Sequence, residues 1–91
     1  MDLKEAIALA KQNIGDVFAE ERISDLRLEE VEFDDSSQTW AITIGFAWPW
    51  EDARIAGMPA EMFPRKRDYK VVRISDKNRK VLSVKNREPV T

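Results

Sequence analysis

The sequence predicts an α+β fold: one N-terminal helix packed on a curved four-stranded antiparallel sheet, in the order α-β-β-β-β. Three observations predict it. Apolar residues recur at three- and four-residue spacing in one long segment only, at the N-terminus. Four segments with strand-like composition follow it. Short polar turns join the first two of these and the last two, as in a meander.

Residues 2–20 carry the helical stripe, with Leu3, Ile7, Ala10, Ile14, Val17 and Phe18 gathered on one side. Asp2, with Glu5 three residues on, has the spacing of a capping box that satisfies N-terminal amides. Gly15 has two readings: a weak point costing about 1 kcal/mol against alanine, or a place where a strand comes close. No later segment is a comparably long helix, so the stripe must face a sheet.

Residues 25–33, DLRLEEVEF, form a strand with a fault in its rhythm. Leu26 and Leu28 share one parity, Val31 and Phe33 the other. One extra residue near Glu29–Glu30, a β-bulge, would return both pairs to a common face and help the sheet curl around the helix. The turn DDSSQ follows, and then the strand 39–48, stopped by Pro49. Residues 67–75, RDYKVVRIS, and 80–86, KVLSVKN, are joined by DKNR and read as a hairpin.

The strand TWAITIGFAW has two unlike sides. Trp40, Ile42, Ile44, Phe46 and Trp48 make a core face. Thr39, Ala41, Thr43, Gly45 and Ala47 make a face that is neither charged nor bulky. Alanine and glycine are poor strand formers, so their presence needs a reason. Small side chains let another backbone approach, either the chain's own 49–66 loop or a second polypeptide. Thr39, Ala41, Thr43 and Gly45 are therefore candidate interface residues.

Composition narrows the chemistry. Ninety-one residues make a single domain, 1–91, with one modest core. There is no cysteine, which excludes thiol chemistry, and no histidine, which removes the commonest general base and metal ligand. The adjacent carboxylates Asp34–Asp35 and Glu51–Asp52 do not converge on one point in extended chain, and the three glycines are too scattered for a phosphate loop. A non-catalytic protein is expected, with no cofactor and no metal. No apolar run reaches the length of a membrane span, and MDLKEAIALAKQN lacks the uninterrupted apolar block of a signal peptide, so a cytoplasmic location is expected.

Charge is divided along the chain. The net value is −2, but residues 1–64 hold 5 Lys/Arg against 14 Asp/Glu, whereas residues 65–88 hold 10 against 3. Acidic and basic strands could lie side by side and offset one another, or the basic part could dock on something acidic. Arg65, Lys66, Arg67, Lys70, Arg73, Lys77, Arg79, Lys80, Lys85 and Arg87, with Tyr69 among them, are the raw material of a nucleic-acid surface. The acidic balance of the whole chain, with a pI near 5.2, argues against that partner.

Residues 49–66 form an 18-residue connection, longer than compact domains commonly use. Trp50, Ile55, Met58, Met62 and Phe63 are apolar, and Pro49, Pro59 and Pro64 stiffen the segment. It either folds back over the core or offers a protein-binding surface: Trp48, Trp50, Met58, Met62 and Phe63, rimmed by Arg65, Lys66 and Arg67.

The element order, and the strand–turn–strand cadence of YKVVRISDKNRKVLSVKNR, resemble the small cystatin-like domains with one helix and four strands, a group that includes PepSY-type modules and bacterial immunity-type proteins. The PepSY pattern has a glycine in the hairpin turn where this chain has Arg79. The resemblance implies the fold and a protein-binding role of the immunity or inhibitor kind; it assigns no functional residue. The partner expected is another protein or a second copy of the chain.

Overall fold

A computed structural model describes residues 1–48 and 67–87. The elements are α1 (Leu3–Val17), a short 3-10 turn (Ala19–Glu21), β1 (Ser24–Asp34), β2 (Thr39–Ala47), β3 (Asp68–Ser75) and β4 (Val81–Asn86). The four strands form one antiparallel sheet in the order β1-β2-β3-β4. This is the α-β-β-β-β arrangement that the sequence predicts, with an open sheet.

The start of α1 follows from its cap: the Asp2 carboxylate accepts the Glu5 backbone N–H at 2.8 Å. The buried line of the helix runs through Ala6, Ala10 and Ile14, and it joins Ile42, Ile44, Phe46, Val72 and Ile74 in the core. Two alanines one turn apart let the helix backbone sit close on the strands. Leu3 and Val17, expected on the stripe, lie at its ends and are 45% and 58% exposed. Gly15 is not a site of close approach, since a Cβ built there would meet nothing within 4 Å.

Aromatic rings close the two ends of the core face. Phe18, Phe46 and Trp48 form one group, with centroids 5.3 to 5.8 Å apart. The Trp48 indole N–H donates to Asp68 at 3.2 Å. At the other end Trp40 lies 4.8 Å from Phe33 and donates its indole N–H to Asp76 at 2.9 Å. Each tryptophan thus buries an apolar body and keeps its polar edge satisfied. Asp76 also takes the amino group of Met1 at 3.4 Å, tying the β3–β4 turn to the start of the chain.

The fault in β1 is a bulge, where the sequence places it: Leu28 pairs with Ile44 and Glu30 with Thr43, leaving Glu29 as the extra residue. A second irregularity lies between Ser24 and Arg27, where Asp25 has a φ of 57°. A third sits opposite the Arg73–Ile74 step of β3, where β4 carries Leu82 as its extra residue. In the β3–β4 turn, Arg79 has a φ of 55°, the left-handed conformation that glycine adopts without strain. Among the described residues no helix is long and apolar enough to cross a membrane.

Candidate protein-binding face

α1 covers one side of the sheet. The other side, the outer face, is built from alternate residues of each strand in cross-strand rows. One row runs Glu32, Ala41, Arg73, Ser83; the next runs Glu30, Thr43, Val71, Lys85. Asp34, Thr39 and Ser75 continue the pattern at one end, and Gly45 with Tyr69 at the other. The face therefore has three lanes: β1, acidic from Glu29 to Asp34 with Arg27 opposite Gly45, small on β2, and basic with Val71 and Tyr69 on β3 and β4. Acidic and basic strands are not neighbours. β2 stands between them.

At the Gly45 end the chain's own side chains fill the space above β2. A Cβ on Gly45 would fall 2.8 Å from Glu29 Oε1 and 3.0 Å from Tyr69 Cε1. The bulge makes this possible, because it turns Glu29 as well as Glu30 to the outer face. Arg67 completes the bridge: Nη1 donates to Asp25 Oδ2 and Nη2 to the Asp25 backbone carbonyl, both at 2.8 Å, and Glu29 Oε1 lies 3.9 Å from Nη2. Burial pushes the Asp25 carboxyl up, but hydrogen bonds and charge from Arg27 and Arg67 outweigh it and hold the group below its ordinary range. Arg87 stacks its guanidinium on Tyr69 at 4.1 Å from the ring centre.

Among the described residues the Ala41 end is open. A shallow groove of about 420 Å³ is lined by Glu32, Phe33, Asp34, Thr39, Ala41 and Arg73. A second, of about 330 Å³, lies across Arg73 and is lined by Val71, Arg73, Lys85 and Asn86. Arg73 is the ridge between them. Among the described residues Glu30, Glu32, Arg73 and Lys85 form no ion pair, because the β2 lane holds the two signs apart. Thr39 and Thr43 are 5% and 4% exposed, whereas Ala41 is half-buried.

The interface candidates Thr39, Ala41, Thr43 and Gly45 thus share one face, but only the Thr39–Thr43 part adjoins the open groove. Two of the protein-binding candidates that flank the 49–66 loop pack inward. Trp48, also expected on the core face, belongs to the aromatic group against Phe18 and Phe46. Arg67 is 14% exposed and held by Asp25, so it is an internal clasp and not a rim cation. Trp50, Met58, Met62, Phe63, Arg65 and Lys66 lie outside the described residues, as do Glu51 and Asp52. Asp34 accepts from the Ser36 N–H and hydroxyl, the work of a turn residue. Among the described residues no group of three or more acidic side chains has the arrangement of a metal site. The acidic lane itself, Glu30 with Glu32, is the feature that sequence reasoning passed over; the parity fault that locates the bulge also locates it.

Comparison with protein-family models, with curated proteins and with solved structures gives no match.

Proposed function

We propose that this chain is a non-catalytic module that binds another polypeptide on the outer face of its sheet, at the Ala41 end. The observation that carries the reading is the separation of Glu30 and Glu32 from Arg73 and Lys85, which form no ion pair among the described residues, by a lane of small side chains. Charges of both signs held two to three strand spacings apart, roughly 10–15 Å, offer a partner oriented electrostatic contacts. At Ala41, the half-buried position between the buried Thr39 and Thr43, that partner can come close to the β2 backbone. A chain without histidine or cysteine has few routes to catalysis, which favours binding over chemistry. A nucleic-acid role fits less well, because the acidic lane borders the basic one and Tyr69 is already stacked by Arg87.

The test is affinity capture with three tagged baits: wild type, Ala41→Arg and Lys11→Ala. Lys11 is exposed on α1, on the far side of the molecule from the groove. The bound polypeptide should be retained by wild type and Lys11→Ala and lost by Ala41→Arg, with circular dichroism spectra alike. Equal capture by Ala41→Arg and wild type removes the reading.

A further inference from the structure

We infer that the polypeptide on this face is a second copy of the chain, related to the first by a two-fold axis running along the strands. The inference rests on the reading of the outer face as a binding surface, and adds to it the identity and orientation of the occupant.

Two identical faces brought together by a two-fold axis leave that axis lying between them. Set across the strands, the axis stacks β1 on β1 and β4 on β4. Acidic residues then oppose acidic ones and basic oppose basic, which disfavours the complex. Set along the strands, it stacks β1 on β4 and β2 on β3. The row containing Glu30, Thr43, Val71 and Lys85 then lies over its own copy reversed. The exposed Glu30 faces Lys85 of the second copy, Val71 lies over the nearly buried Thr43, and each juxtaposition occurs twice. In the adjoining row the long Arg73 comes down on Ala41 of the second copy, with that copy's Glu32 beside it. The smallest side chain of the row thus opposes the largest. Both the charge pattern and the size pattern select the same axis.

The area sets the strength. Four strands about 4.8 Å apart and about 28 Å long present roughly 500 Å² per copy. About 1,000 Å² in total is at the lower limit for specific association. The pair should be reversible and weakened by salt, since its charged contacts are near solvent.

Sedimentation velocity on the full chain, from about 1 µM to about 1 mM, spans the affinities such an area supports. Wild type should pass from one-chain to two-chain mass with rising concentration, and at higher concentration when salt is added. Glu30→Lys alone and Lys85→Glu alone should each weaken the pair at least tenfold, because each sets like charges together twice. An equimolar mixture of the two variants should restore it, because every mixed contact then joins opposite charges. Both positions are exposed on edge strands, and circular dichroism reports their folding; Glu30→Gln and Lys85→Gln, which remove charge without reversing it, should weaken the pair less and flatten its salt dependence. The inference is overturned by a wild type that stays single at every concentration, by pairing indifferent to these changes, or by a mixture that does not re-form the pair. A single-copy wild type whose captured protein is still lost on Ala41→Arg overturns the second copy and leaves the binding face standing. A single-copy wild type with no capture through this face overturns both.

Discussion

Two glycines in regular elements meet opposite surroundings. The position of a Cβ on Gly15 is empty to 4 Å, whereas on Gly45 it is occupied at 2.8 Å by the Glu29 carboxylate. Gly15 therefore has only its conformational cost, about 1 kcal/mol against alanine inside a helix. Gly15→Ala should raise stability by about that amount and the melting temperature by roughly 4–8 °C for a domain of this size, read from thermal circular dichroism; an unchanged or lower midpoint would contradict the open position. Gly45 is different in kind. Any side chain there must displace Glu29, and with it the 3.9 Å approach to Arg67, so its smallness serves a bridge of side chains across β2. Arg79 makes the related point about backbone: it holds a left-handed conformation with its guanidinium 3.1 Å from Glu5, an exposed contact of small energetic value.

At the scale of elements, the distance between α1 and the sheet is set by Ala6 and Ala10, both fully buried. Ala10→Leu should force the helix outward and lower stability by about 1–3 kcal/mol, measured by urea unfolding. A variant as stable as wild type would mean that the helix does not rest on those alanines. The elements themselves were legible because each follows from a local period: three-and-a-fraction residues for α1, two for the strands. The bulge at Glu29 was legible because two apolar pairs changed parity across it. Val81 and Val84, also of opposite parity and both packed against the core, carry the same signal for the bulge at Leu82. The irregularity at Asp25 leaves no such trace, since Leu26 and Leu28 keep their rhythm through it. Nor does periodicity say where a helix outruns its sheet, so it places Leu3 and Val17 on the covered stripe although both are exposed.

For the molecule as a whole, the division of charge along the chain becomes a division across one face, and that step was hidden in the sequence. It depends on strand order, which places β2 between the acidic and basic strands, and on the bulge, which adds Glu29 to the acidic side chains turned outward. From the small residues of β2 the sequence predicts a face covered by the 49–66 loop or by a second polypeptide; among the described residues its Ala41 end is a shallow groove. Several carboxylates also report on the folded state. Hydrogen bonds from the Trp40 indole lower Asp76 against the opposing effect of burial; the Ser36 and Ser37 hydroxyls lower Asp34; and Asp25 is lowered by its arginines despite burial. A carboxyl depressed below its ordinary 3.8 binds fewer protons folded than unfolded. Its stabilising effect is complete above that value and is lost as pH falls through the folded one. Urea midpoints should therefore hold from about pH 7 to about pH 5 and drop below about pH 4; a midpoint that stayed level or rose on acidification would contradict these contacts.

The irregularities on the outermost strands have a consequence for what the chain avoids. An open sheet with an acidic border and a basic border invites head-to-tail joining, β1 of one molecule zipping onto β4 of the next. Such a union never closes and would grow into a ribbon. Extra residues at Glu29 and near Asp25 on one border, and at Leu82 on the other, put kinks where a templated strand would need an unbroken run of amides. The same opposite charges that suit stacking would otherwise drive fibre growth, and the kinked borders stand against it.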